Sequence, residues 1–183
     1  MSNRPTKLLT YEDFAAYPDD LVRREIIGGE MFVTPSPIVR HQDVAGSLFN
    51  AFSNHVRTHG GGRVFIAPLD VLLSEHDIVE PDVVFVATDR LDIIEHKHLI
   101  GVPSLLIEVV SDARTDRVRK RQLYEGAGVP EYWIADPDAD RVEIYRLRDG
   151  AYGKPEIMEP GETLTTDLLP GLSIDIASLF GRT

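Results

Sequence analysis

The sequence of 183 residues contains no cysteine and no long apolar run. The lack of cysteine excludes disulfide bonds and thiolate metal sites, and it fits a cytoplasmic protein. No apolar stretch approaches the roughly 20 residues that a membrane-spanning helix requires. The opening stretch MSNRPTKLLTYEDF also lacks the apolar core of a signal peptide. We therefore expect a cytoplasmic protein that does not interact with a membrane.

Positive charge is also scarce. The chain has 30 acidic residues against 19 Lys and Arg, which gives a net charge of -11. This balance argues against a protein that coats DNA through a broad basic surface, because phosphate binding draws on Lys and Arg. It leaves open an enzyme that meets nucleic acid through a small local patch. Carboxylates gathered to hold a divalent cation would add to the negative charge.

Length and periodicity predict one domain over 1–183 with its core at about 20–180. Strand-like and helical patterns are mixed along the chain, which predicts a mixed β-sheet flanked by helices, an α/β (α+β) fold. Two short apolar runs flank Gly28-Gly29 and predict an N-terminal β-hairpin over 24–33.

The rest of the pattern divides into helices, strands and one strand–helix–strand unit. Apolar residues spaced by three and four predict helices over 38–55 and 116–127, and Gly128 closes the second. Strand-like runs stand at 64–67, 70–73, 82–86, 105–110, 131–135 and 142–147. A loop or short helix is expected at 89–98 and a short helix at 174–180. The run 105–110 is apolar on both faces, which is typical of a central, covered strand.

Glu108 is an anomaly in this apolar run. Burying an ionised carboxylate without a partner costs on the order of several kcal/mol or more. Glu108 must therefore be protonated, paired or bound to a cation. Asp82 opens a neighbouring strand and could simply cap a turn. Lys120 lies at the edge of the inward face of its helix, where its stem could cover apolar surface while its ammonium group reaches water.

Together, Asp82, Glu108 and Lys120 suggest a chemical function. Two carboxylates on neighbouring strands can hold a hard cation such as Mg²⁺, which prefers oxygen ligands. A bound metal lowers the pKa of a water molecule and polarises a phosphoryl oxygen. A nearby ammonium can stabilise the charge that develops on a phosphate. The combination predicts phosphodiester hydrolysis.

Pro81-Asp82 and the later Ile107-Glu108-Val109-Val110 resemble the PD-(D/E)XK nuclease superfamily. Val110 stands where that pattern has its lysine. The departure resembles the Uma-two restriction-endonuclease-like family, in which the lysine has moved to the following helix, ahead of a tyrosine. Lys120 and Tyr124 match that arrangement. Further similarity lies at 25–30, 41–42, 128–137 and 169–174, so the resemblance covers about 20–180.

The resemblance implies a restriction-endonuclease-like core and a metal-dependent endonuclease acting on DNA. Asp82, Glu108 and Lys120 would be its catalytic residues. Asp82 and Glu108 would hold Mg²⁺, with Mn²⁺ as the alternative cation. A catalytically silent nuclease-like module for nucleic-acid or protein interaction is the alternative function. A homodimer is also kept open, because restriction-enzyme-like folds often act as dimers.

Supporting roles are expected for Glu25, His41 and Tyr124. Glu25 could be a third metal-site carboxylate, or an exposed strand-end residue paired with Arg23 or Arg24. His41 could bind phosphate or a metal-bound water, or be a hydrogen-bonded histidine at the edge of the core. Tyr124 could stack on a base, although its helical position favours core packing.

A dense group of basic residues surrounds Lys120. Its arginines include Arg117, Arg119 and Arg121, which are the expected contacts to DNA phosphates. A solvated helix face is the alternative interpretation.

Overall fold

The computed structural model describes residues 7–18, 22–34, 36–110 and 115–181. In the first half of the chain the elements are α1 (Tyr11–Ala15), β1 (Arg23–Ile27), β2 (Glu30–Thr34), α2 (Val39–His59), β3 (Gly62–Ile66), β4 (Val71–Ser74), β5 (Asp77–Val79) and β6 (Val83–Ala87). In the second half they are a 3₁₀ helix (Thr88–Ile93), β7 (Leu99–Ile100), β8 (Leu105–Val109), a π-helical segment (Thr115–Lys120), α3 (Arg121–Ala127), β9 (Glu131–Asp136), β10 (Arg141–Arg148), β11 (Ala151–Tyr152), β12 (Glu156–Met158), β13 (Thr163–Leu164), β14 (Ile174–Asp175) and α4 (Ile176–Phe180).

The larger sheet has the strand order β11-β10-β9-β8-β6-β3, and β12 also pairs with β10. Strands β8 and β9 are parallel, and the other neighbours in this sheet are antiparallel. The π-helical segment and α3 cross over between β8 and β9, as the strand–helix–strand pattern predicted. The expected mixed α/β fold is therefore confirmed.

A second sheet has the order β2-β1-β5-β4-β7. Its β1–β2 hairpin is the one predicted from the sequence. Gly28 and Gly29 form the turn with φ of 60° and 77°, the left-handed backbone that a tight hairpin turn favours in glycine. Strands β5 and β7 have three and two residues and were not predicted, because such short strands carry little periodicity of their own.

The core lies on both faces of the larger sheet. Leu105, Ile107 and Val109 of β8 pack with α2 and α4 on one face. Leu106 packs with Tyr124 of α3 on the other. Since side chains alternate along a strand, Glu108 points to the same face as Leu106, toward α3 and the second sheet. Strand β8 is thus central and covered on both faces, as the sequence suggested.

The two long helical patterns differ in detail from the prediction. Helix α2 runs to His59, about one turn beyond the expected end, and stops at Gly60 with φ of 76°. The expected helix over 116–127 begins as a π-helical segment and becomes α-helical at Arg121. Such wide turns occur often at functional sites. Within the described residues, no helix has the length and apolar character needed to span a membrane.

Candidate active site

Asp82 and Glu108 face each other across neighbouring strands. The antiparallel register of β6 and β8 pairs Val83 with Ile107. Continuing this register by one residue places Asp82 opposite Glu108. A hydrogen bond across the same strands supports this arrangement, because the Val109 N–H donates to Oδ2 of Asp82 at 2.8 Å. Both carboxylates are buried.

Lys120 lies at the end of the π-helical segment and contacts two carboxylates of the site, those of Glu108 and Glu25. Its Nζ lies 2.9 Å from Oε1 of Glu108 and 2.9 Å from Oε1 of Glu25. The Tyr124 hydroxyl donates to the same oxygen of Glu108 at 2.8 Å. Lys120 is 4% exposed, so its ammonium group is enclosed and does not extend to water.

These groups surround a cavity of about 140 Å³. Strands β1, β2 and β8, the π-helical segment and Asp82, which directly precedes β6, all contribute to its wall. The charged residues lining the cavity are Arg23, Glu25, Asp82, Glu108, Asp116 and Lys120. The structure therefore brings together the three residues predicted to be catalytic.

Glu25 lies inside the site and not at an exposed strand end. Its Oε1 accepts a hydrogen bond from the Glu80 N–H at 2.8 Å, in addition to the contact with Lys120. The alternative interpretation of Glu25, an exposed residue paired with Arg23 or Arg24, is therefore wrong. Alternation along β1 explains the difference, because it turns Glu25 toward the Glu108 face of the larger sheet.

Asp82 binds partners through both carboxylate oxygens. His41 Nε2 lies 3.2 Å from Oδ2, the oxygen that also accepts from Val109. Arg23 Nη1 donates to Oδ1 at 3.1 Å. Asp82 is thus held by β8, by the start of α2 and by β1. These contacts come from three distant parts of the chain, whereas a residue that caps a turn binds only its near neighbours.

The Uma2 (Uma-two) family, described as "Putative restriction endonuclease", matches residues 11–177. The chain belongs to the Uma2 family. No curated protein matches its sequence.

A solved structure gives an independent test of the fold. It is a "putative nuclease belonging to DUF820" from Anabaena variabilis ATCC 29413, and it superposes with a TM-score of 0.79. The match covers 94% of this chain and 97% of that chain at 22% sequence identity. At this identity the likeness shows the fold alone, and it agrees with a restriction-endonuclease-like architecture. Family membership is what supports a nuclease.

Burial and charge oppose each other at the Glu108–Lys120 pair of this Uma2 chain. Burial raises the pKa of Glu108 above its ordinary value; Lys120 lowers it, while the charges of Asp82, Glu25 and Asp116 raise it further. Burial alone would lower the pKa of Lys120, but Glu108 and Glu25 outweigh burial and raise that pKa. Lys120 is therefore held as an ammonium ion.

The pKa of Asp82 changes in the opposite direction to that of Glu108. Burial raises the Asp82 pKa, but the hydrogen bond from His41 and the charge of Arg23 outweigh burial and lower it. Asp82 is thus the more readily ionised of the two facing carboxylates.

Arg23 and Glu80 are site residues that sequence reasoning missed. Arg23 Nε lies 3.3 Å from Oε2 of Glu80, and its Nη2 donates to the Glu80 carbonyl oxygen. The sequence held one signal for Arg23: it stands two residues before Glu25, directly before the predicted hairpin, and an extended chain there would turn both side chains to the same face. Nothing in the pattern indicated Glu80, whose place depends on the pairing of the short strand β5.

The three arginines expected to contact DNA do not form one patch. Arg117 donates to Asp136 at 2.6 Å and to Glu143 at 2.9 Å. Arg121 pairs with Glu125 of its own helix at 3.3 Å. Arg119 lies over the ring of Phe32, with its guanidinium carbon 4.5 Å from the ring centroid, and Phe32 lines the cavity. Arg114, a further arginine close to this group in the sequence, lies outside the described residues.

The site offers a hard divalent cation two facing carboxylates and no larger group of ligands among the described residues. Across the described ranges, no three His, Asp or Glu side chains are gathered closely enough to form a metal centre. Mg²⁺ does not require such a cluster, since it often binds through one or two carboxylates and keeps several waters. Carboxylates outnumber basic groups along the cavity wall, and this excess favours a cation. Asp82 and Glu108 are the facing pair that fits it.

Proposed function

We propose that this Uma2 chain is a metal-dependent endonuclease that hydrolyses phosphodiester bonds in DNA. The observation that carries the proposal is the cavity where Asp82 and Glu108 face each other and Lys120 lies within 2.9 Å of Glu108. Two carboxylates and one ammonium group in one enclosed space are a suitable set for phosphoryl chemistry. Family membership supports the nuclease class.

Asp82 and Glu108 would hold Mg²⁺, or Mn²⁺ in its place. When bound, such a cation supplies polarisation of a phosphoryl oxygen and activation of water. The backbone N–H of Val109 and the ring of His41 keep the Asp82 carboxylate turned toward Glu108. Tyr124 orients Glu108 through its hydroxyl group, which donates to Oε1.

Lys120 would act as a fixed positive charge. Because Glu108 and Glu25 raise its pKa, Lys120 is unsuited to accept a proton as a general base. Its role is then to stabilise negative charge that develops on the phosphate. Glu25 positions the ammonium group by a contact of 2.9 Å.

Contacts to the DNA strand are expected first from Arg119, which lies against a residue of the cavity wall. Arg117 and Arg121 already bind carboxylates, so their contribution to phosphate binding should be smaller. A catalytically silent nucleic-acid or protein interaction module is the second candidate. It is favoured by the engagement of Lys120 with two carboxylates and by the net charge of -11.

Purified protein should be incubated with supercoiled plasmid and with single-stranded DNA in Mg²⁺, in Mn²⁺ and in EDTA. The matched variants are Glu108→Gln, which keeps the shape of the side chain, and Glu30→Gln, which removes an exposed charge from β2. We expect cleavage that requires metal, is lost in Glu108→Gln and is retained in Glu30→Gln. Binding that survives EDTA without any cleavage would instead support the silent module.

A further inference from the structure

Arg23 is a half-buried cation that contacts Asp82, one of the two facing carboxylates. Its Nη1 donates to Oδ1 of Asp82 at 3.1 Å. The Arg23 side chain is 18% exposed and that of Asp82 is 4% exposed, so water screens this contact only weakly. The structure thus supplies Asp82 with a positive partner from its own chain.

Glu80 keeps Arg23 in this place. The Glu80 carboxylate lies 3.3 Å from Nε of Arg23, and its carbonyl oxygen accepts from Nη2. The guanidinium group is therefore fixed on both sides, by Glu80 and by Asp82. A planar guanidinium held by several contacts loses little further freedom and makes a persistent partner.

Both carboxylate oxygens of Asp82 already have partners within the protein. Oδ2 accepts from the Val109 N–H and contacts His41, and Oδ1 accepts from Arg23. A divalent cation that uses Asp82 as a ligand must share Oδ1 with a guanidinium group or displace it. Two cations at one buried carboxylate repel each other strongly, because the surrounding protein screens poorly.

We propose that Arg23 is a resident counter-ion of Asp82 that competes with a divalent cation for this carboxylate and so sets the metal affinity of the site. The inference rests on the proposed function, since it takes Asp82 as a metal ligand. In the opposite role, Arg23 would hold the Asp82 carboxylate in the orientation that binds the metal. The two roles predict opposite effects when the charge of Arg23 is removed.

Calorimetric titration of Mg²⁺ and Mn²⁺ into wild type, Arg23→Gln and Arg23→Lys separates these roles. Loss of the charge in Arg23→Gln should tighten Mg²⁺ binding by about tenfold, because the repulsion between the two cations is removed. Arg23→Lys keeps the charge and should bind within about threefold of wild type. Unchanged or weaker binding by Arg23→Gln would overturn the proposal.

Arg24→Gln is the matched control. It removes the same charge from the adjacent residue, which points to the other face of β1 and lies over Tyr17. Its metal affinity should stay within about twofold of wild type, since exposed charges at a distance are screened. An equal gain in Arg24→Gln and Arg23→Gln would mean that net charge alone acts, and it would contradict a role for Arg23.

NMR spectroscopy can test the competition in the unsubstituted protein. In protein with ¹⁵N-labelled arginine, the Nε–H resonance of Arg23, assigned by its absence in Arg23→Lys, should shift over the same Mg²⁺ range as the calorimetric signal. A resonance that stays fixed through saturation would overturn the competition.

Metal titration distinguishes a wrong role for Arg23 from a wrong proposed function. Metal binding that is lost in Glu108→Gln but unaffected in Arg23→Gln would refute only the role of Arg23. No Mg²⁺ or Mn²⁺ binding by any form of the protein would refute the metal dependence and the competition together.

Discussion

Lys120 and Glu108 form a buried ion pair, with Nζ 2.9 Å from Oε1. The same ammonium group contacts Glu25 on β1. Lys120 therefore joins the central strand of the larger sheet to the hairpin strand of the second sheet. One side chain links the two sheets and supplies a positive charge to the candidate site, so stability and activity should both depend on it.

Replacing Lys120 by methionine keeps the apolar stem and removes the charge. Glu25 and Glu108 would then be buried without their cation, and loss of one partner of a buried pair costs about 3–5 kcal/mol. We expect a fall of this order in the free energy of unfolding, measured by urea denaturation. Cleavage should fall by about 100-fold or more, in line with removal of a group that stabilises transition-state charge.

The double variant Lys120→Met/Glu108→Gln tests whether the buried, unpaired carboxylate of Glu108 causes the loss of stability. If an unpaired carboxylate is what destabilises Lys120→Met, then neutralising Glu108 should restore part of the lost stability. The coupling between the two positions should be about 1–3 kcal/mol. Simple addition of the two single effects would show that Lys120 acts through packing and not through its charge.

Glu108 and Lys120 could be singled out from the sequence because each stands out from its local pattern. Glu108 interrupts an apolar strand, and Lys120 stands at the edge of an apolar helical face. Such anomalies are visible within a few residues of sequence. The hairpin was predictable for a similar reason, since a Gly-Gly turn between two apolar runs is a local signal.

The relationships that were missed join residues far apart in the chain. Arg23 and Asp82 are separated by 59 positions, and their contact depends on how the second sheet packs against the larger one. Arg117 was expected to face DNA, yet it binds Asp136 and Glu143 on β9 and β10. Charge spacing along a helix does not reveal which carboxylates another strand will bring to it.

Tyr124→Phe should destabilise the protein while keeping the packing of its ring. The Tyr124 hydroxyl donates to Glu108 at 2.8 Å, and hydrogen bonds to charged groups contribute about 1.5–3 kcal/mol. We expect a loss of about this size in the free energy of unfolding. Tyr17→Phe, at an exposed ring, is the control and should change it by less than about 0.5 kcal/mol. Equal effects would argue against the hydrogen bond as the cause.

The ion pair of Arg117 with Asp136 predicts a dependence of stability on pH. Burial raises the pKa of Asp136, but the hydrogen bond and charge of Arg117, together with the N–H groups of Ala139 and Asp138, outweigh burial and lower that pKa on folding. A carboxylate with a lowered folded pKa stabilises the protein above its unfolded pKa of about 3.9, and this stabilisation is lost as pH falls below that value. Thermal unfolding should therefore show wild type more stable than Asp136→Asn near pH 7.

The same comparison at low pH tests the sign of the effect. The difference in melting temperature between wild type and Asp136→Asn should shrink as the pH falls from about 5 to about 3, because Asp136 takes up a proton in the unfolded chain before it does so in the folded protein. A difference that stays constant over this range would mean that the asparagine acts through the turn at Asp138 and Ala139, whose N–H groups also donate to Oδ1 of Asp136.

Arg119→Gln should weaken DNA binding more than Arg117→Gln or Arg121→Gln. Arg119 lies over Phe32 at the cavity wall, whereas Arg117 and Arg121 are bound to carboxylates. In a Glu108→Gln background, which removes cleavage, fluorescence anisotropy should show weaker binding and a salt dependence with a slope smaller by about 1. If Arg119→Gln leaves both quantities unchanged while Arg117→Gln alters them, then the strand approaches from the β9–β10 side and the Arg117 ion pairs open on binding.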